Sequence, residues 1–240
     1  MATFVLVHGA WQGAWCWSQV VPQLENRGHQ VLALDLPGHG EDPTPPEQVG
    51  LQDYVQAIIR GVEKLDAPPI VVGHSMGAVV VAQTAEKIPD RIRALVSVAS
   101  SEPPDGVSMM QMVGETDPAY LRELVWSADG RTAAITPAGV RDFLYHLCPP
   151  DVIAQSLSRL RPQAIAPYET AIRITPERYG RVPRFYIGCR QDRLVGPELQ
   201  RRTCAAFPSN RVYNIDADHS PFFSAPQQLT ACLERIADKV

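Results

Sequence analysis

No stretch of this sequence is long and apolar enough to cross a membrane, and the longest hydrophobic runs are of strand length. No basic segment leads into an apolar one at the N-terminus, which enters a strand by Thr3, so no signal peptide is expected. Basic residues form no cluster, and the net charge is −4, which argues against nucleic acid as a partner. Cysteine is sparse: Cys16, Cys148, Cys189, Cys204 and Cys232 are odd in number, scattered, and never in C-x-x-C spacing. Neither a zinc site nor a redox dithiol is therefore expected, and the five are read as reduced thiols, mostly core, of a cytoplasmic protein. Internal repeats and low-complexity tracts are missing too. What is present, 240 residues with 45% apolar and 20% charged content, is enough for one soluble domain with room for an inserted subdomain.

The most informative stretch is PPIVVGHSMGAVVVAQTAEKIP, Pro68 to Pro89. Ile70, Val71 and Val72 read as a strand buried on both faces, Ala78 to Lys87 as a helix, and Gly73-His74-Ser75-Met76-Gly77 as the turn between them. A serine at so sharp a strand-to-helix turn sits in a strained conformation, flanked by glycines because side chains would clash. The turn lifts its hydroxyl off the sheet towards a helix N-terminus, where free N–H groups favour developing negative charge.

Around it, strands are expected at Thr3–His8, Gln30–Asp35, Ile92–Ala99, Pro183–Gly188 and Arg211–Ile215, alternating with helices. With the elbow strand this makes six, and the alternation implies an α/β architecture, a mostly parallel sheet covered by helices on both faces. From Ser101 to Gly180 no convincing strand is visible. Helical pieces are expected there at Ala119–Ser127, Pro137–His146, Pro150–Leu160 and Ala166–Ile172, broken by frequent prolines. The organisation read from this is a core of residues 1–100 and 181–240 with a helical cap, 101–180, inserted.

A serine hydroxyl needs a neighbouring base, usually histidine, oriented by a carboxylate. On such a scaffold both should follow the serine, acid before histidine, on loops after later strands. His8, His39 and His74 precede Ser75, His29 opens a strand at the opposite edge, and His146 falls in the cap. His219 alone follows the last strand, and it is the candidate base. Asp192, four residues past the fifth strand, is the candidate acid; its competing reading is a salt bridge with Arg190 or Arg193. Asp218 adjoins His219, but adjacent side chains diverge, and Asp216 reads as a strand-end or turn residue. Two backbone N–H groups are needed for an oxyanion. They are assigned to Met76, after the serine, and Ala10, in the loop after the first strand, with His8 bracing that loop.

The segments VLVHGAWQGAWCW, LDLPGHG, VVGHSMG, RQDRLVGPELQ and ADHSPFFSAPQQL together resemble the α/β-hydrolase superfamily. They are most similar to the branch holding plant methyl esterases, hydroxynitrile lyases and bacterial carboxylesterases acting on pyrethroids. The resemblance implies the α/β-hydrolase fold with six strands, Ser75–His219–Asp192 as the triad, and Ala10 and Met76 as oxyanion donors. Lyases of that branch carry threonine where Gly9 stands and lysine after the catalytic histidine. This chain has Gly9 and Ser220, which favours ester hydrolysis through an acyl-enzyme. A lyase, a lactone or C–C bond hydrolase, and a non-catalytic ligand-binding role remain the alternatives.

No metal or organic cofactor is called for by this chemistry. The expected partner is a small to medium, apolar or aromatic ester, with neither nucleic acid nor membrane, and a homodimer stays open. Trp11, Met109, Met110, Leu124, Trp126, Phe143, Leu147 and Phe222 are candidates for the pocket wall, each with simple core packing as its competing reading.

Overall fold

The computed structural model of the chain describes residues 1–207 and 209–240. Nine strands are present among the described residues: β1 (Thr3–Val7), β2 (Gln30–Leu34), β3 (Ile70–His74), β4 (Ala94–Val98), β5 (Leu124–Trp126), β6 (Thr132–Ile135), β7 (Gln163–Ala164), β8 (Arg184–Cys189) and β9 (Arg211–Ile215). Six form the main sheet, in the order β2-β1-β3-β4-β8-β9, and every pairing in it is parallel. Side-chain alternation then assigns the core. Phe4, Leu6, Ile70 and Val72 face one layer, with the terminal helix Pro226–Ala237, while Val5, Val7 and Val71 face the other. The second layer holds the helix Leu51–Glu63, which buries Leu51, Tyr54, Val55, Ile58, Ile59 and Val62, the single face that a 3.6-residue period selects. The elbow helix, Met76–Lys87, is buried on every side from Met76 to Glu86, which explains its run of small and apolar residues.

The chain enters the sheet at β1, steps outward to β2, then crosses back to place β3 on the other side of β1. Connections from β1 and β3 therefore leave in opposite directions, and the crevice between their carboxyl ends is where such folds bind ligands. Leu6 pairs with Val72 and Val7 with Gly73, so the loop after β1 emerges directly beside the elbow.

The segment between β4 and β8 differs from the all-helical expectation. It holds the helical pieces Met109–Val113, Pro118–Leu121, Val140–Leu144 and Pro150–Leu157, together with an antiparallel sheet in the order β5-β6-β7. The helix expected over Ala119–Ser127 ends at Leu121, and Leu124 and Trp126 lie on β5. The reversal at Ser127–Thr132 decides this. Gly130 takes φ 69°, the Asp129 carboxylate accepts from the Ser127 hydroxyl and the Arg131 amide, and the Ser127 amide donates to the Thr132 carbonyl at 2.9 Å. Asp129-Gly130 is a hairpin signal, but strands of three and four residues carry too little periodicity to announce themselves.

Candidate active site

Ser75 directly follows β3 with φ 52° and ψ −124°, one of three non-glycine residues with positive φ among the described residues. The glycines around it are demanded by contact. A Cβ on Gly77 would lie 2.4 Å from the His8 carbonyl oxygen, and one on Gly73 would lie 2.5 Å from the Ala78 backbone. A Cβ on Gly9 would lie 3.0 Å from that of Ser75. The β1 loop and the elbow thus touch only because both surfaces are glycine.

The hydroxyl of Ser75 lies 3.0 Å from Nε2 of His219, and Nδ1 of His219 lies 2.8 Å from Oδ2 of Asp192. A neutral imidazole that donates from Nδ1 to the carboxylate leaves Nε2 free to accept the serine proton. His219 and Asp192 are both buried. Asp192 Oδ1 accepts from the amides of Leu194 (2.8 Å) and Val195 (2.9 Å), while Gln200 Nε2 lies 3.4 Å from Oδ2. A turn of backbone N–H groups thus meets the buried carboxylate, without a lysine or arginine paired to it among the described residues. Arg190 pairs with exposed Asp216 instead, so the salt-bridge reading of Asp192 does not describe its surroundings. Asp218 is equally buried but faces away from the imidazole: it accepts from the amides of Leu147 and Ser220, each at 2.9 Å, and from the Ser224 hydroxyl at 2.7 Å.

Three further histidines support the site. His8 accepts the Leu36 amide on Nε2 at 3.1 Å and donates from Nδ1 to the Gly9 carbonyl at 2.7 Å, bracing the β1 loop. Burial, with His39 close by, pulls its pKa down to about 3. Burial also lowers His39, whose ring lies 4.9 Å from that of His8. His74 is held well below the ordinary imidazole range by burial and then by neighbouring His219. All three are neutral at pH 7. Cys189, near Asp192 in sequence, is a buried thiol whose pKa burial raises.

Two cavities adjoin one another, and the first of them opens on the elbow. One is floored by Ser75 and Met76 and walled by Met109, Ser101, Leu194 and Val195; the other is walled by Trp11, Met110, Leu124, Trp126 and Gln163. Val113, Tyr120 and Tyr168 line both, and no charged side chain among the described residues lines either. Phe143, Leu147 and Phe222 line neither cavity. Phe143 packs edge-on against the Tyr120 ring, and Leu147 is exposed. Phe222 is fully buried and packs edge-on to Trp17 and His74, within the core. Sequence reasoning does not single out Ser101, Tyr120 or Tyr168. For Ser101 a signal exists, as it follows β4 at the carboxyl edge that carries Ser75. No group of three or more His, Cys, Asp or Glu residues is arranged to hold a metal ion among the described residues.

The sequence profile of the Alpha/beta hydrolase family matches residues 4–231. Methylesterase 7 of Arabidopsis thaliana is 35% identical over 98% of this chain and 96% of its own. Methyl jasmonate esterase 1 of Vitis vinifera is 31% identical over 98% and 96%. The crystal structure of polyneuridine aldehyde esterase superposes with a TM-score of 0.92 at 25% identity, covering 99% of each chain. By sequence and architecture together, this chain belongs to the alpha/beta hydrolase family, as a methylesterase-like hydrolase.

Proposed function

We propose that the chain hydrolyses neutral carboxylic esters, small to medium in size and apolar or aromatic, through an acyl-enzyme on Ser75. The observation that carries this reading is the unbroken line from Ser75 Oγ through His219 to Asp192, opening into a cavity without charge. His219 takes the Ser75 proton as the hydroxyl adds to the ester carbonyl, and the Ala10 and Met76 amides receive the oxyanion. His219, now an imidazolium stabilised by Asp192, protonates the departing alcohol. Water then adds to the acyl-enzyme with His219 again as base, which frees the acid and restores Ser75. Relatives named for methyl esters make a methyl ester the first alcohol to test.

The residue after His219 favours hydrolysis over cyanohydrin cleavage. Ser220 is fully buried, its hydroxyl lies 3.5 Å from Gln12 Nε2, and a serine at this position offers no positive charge to hold cyanide. The five cysteines are free thiols, in keeping with a cytoplasmic protein. Among the described residues no helix is long and apolar enough to cross a membrane. The purified protein is expected to hydrolyse p-nitrophenyl butyrate, with Ser75→Ala losing at least ~10³-fold in kcat. Full turnover in that variant would reject the mechanism.

A further inference from the structure

We infer that Trp11 is a positioning residue through which the inserted segment holds the oxyanion loop in its working shape; the inference rests on the acyl-enzyme reading above. Three observations converge on it. Trp11 has φ 63°, the left-handed region, where a bulky residue persists only if its surroundings hold it. The other two non-glycine residues with positive φ, Ser75 and Ala99, also follow core strands at the same edge of the sheet. Trp11 directly follows Ala10, the assigned oxyanion donor, so its conformation governs where the Ala10 peptide lies.

The restraints on Trp11 come from the inserted segment. Its indole Nε1 donates to the Ala133 carbonyl at 2.8 Å, and Ala133 sits on β6, the central strand of the small sheet. Its own carbonyl accepts the Arg161 amide at 2.9 Å, and the Arg161 guanidinium is anchored on the carbonyls of Gly40 and Asp42. The neighbouring Gln12 donates to the Tyr145 hydroxyl at 2.9 Å. Residues 11 and 12 are therefore bonded to three separate points of the insertion. Without the indole N–H, the Ala133 carbonyl loses its donor and the left-handed turn loses one of its holds. The Ala10 amide then relaxes from its place beside Ser75.

A merely lining Trp11 would affect all ligands alike, whereas a positioning Trp11 affects those that need the oxyanion. Benzyl trifluoromethyl ketone and benzyl methyl ketone separate the two. Ser75 Oγ adds to the activated carbonyl carbon, the carbonyl π pair moves onto oxygen as an oxyanion, and the serine proton passes to His219 Nε2. The methyl ketone resembles it in size but binds mainly without addition. Inhibition constants for both are measured on the wild type, on Trp11→Phe, and on a protein with benzothienylalanine placed at position 11. That analogue swaps only the N–H for sulfur and preserves the packing. The wild-type preference for the fluorinated ketone should fall about tenfold in both variants, and kcat with it, short of the ~10²–10³ seen when a donor is deleted outright. A preference kept within twofold in either folded variant, or constants for both ketones rising together, would overturn the assignment. No preference in the wild type would instead reject the acyl-enzyme reading itself.

Discussion

The imidazole of His74 donates from Nε2 to the backbone carbonyl of His219 at 2.6 Å, so the residue before the proposed nucleophile fixes the backbone of the proposed base. The two rings stand 4.8 Å apart, and both residues are buried. Replacing His74 with phenylalanine keeps the bulk but leaves that buried carbonyl without its donor. Such a loss costs about 1–3 kcal/mol. A urea denaturation midpoint lowered accordingly, with kcat reduced, is the expected result.

Exchanging Asp192 for asparagine keeps the shape and removes the charge that stabilises the imidazolium. It also presents an amide N–H to Nδ1, favouring the tautomer with its proton on Nε2, which cannot accept from Ser75. A fall in kcat of about 10⁴ is expected, as for the equivalent change in a serine protease triad. Initial rates on p-nitrophenyl butyrate, with circular dichroism to verify folding, would measure it.

Asp218 offers the contrast. Its carboxylate holds the Leu147 and Ser220 amides and the Ser224 hydroxyl, and touches no reacting group. Asp218→Ala should therefore cost at least about 2 kcal/mol of stability through unpaired buried donors. Its kcat, measured below the unfolding transition, should stay well above that of Asp192→Asn. The reverse ranking would exchange the roles of the two acids.

Stability should depend on pH through the neutral histidines. His8, His39 and His74 have folded pKa values below that of an unfolded imidazole, about 6.5. Below that value the unfolded chain binds more protons than the folded one, so each group's contribution is intact above it. The contribution declines as pH falls, for His8 until about pH 3. Each such histidine adds up to about 1.4 kcal/mol of lost stability per pH unit. Chemical denaturation at pH 7.5 and 5.5 should show the drop, and a smaller one in His8→Asn if that variant folds.

The uncharged cavities imply discrimination between esters. Methyl butyrate and monomethyl succinate differ chiefly in a terminal carboxylate, which would be buried unpaired among Met109, Val195 and Tyr168. Burying such a group without a partner costs several kcal/mol, so kcat/KM should favour methyl butyrate by about 10² or more. Equal rates would reveal a cation that these walls do not contain.

Where the chemistry is local, it is legible in residues. The elbow is one continuous strand, turn and helix, and its glycines stand where a Cβ would strike His8 or Ala78. Asp192 and His219 can be chosen because each follows a strand ending at the same edge. Local pattern misleads in the inserted segment. Leu124 to Trp126 looks helical when read alone, and becomes β5 only because Ala133 and its neighbours pair with it. Phe222 lies three residues from His219 and reads as pocket wall, but it points into the core against Trp17.

The succession of core strands and the elbow's strand, turn and helix were thus determined by sequence alone, and the proposed serine, base and acid could be named from it, since buried apolar runs and tight turns are short-range properties. Which side chains line the cavities, and what holds Trp11 in a left-handed turn, was decided by tertiary structure. Those answers depend on hydrogen bonds such as Trp11 to Ala133, which join residues more than a hundred positions apart. Periodicity carries no trace of them.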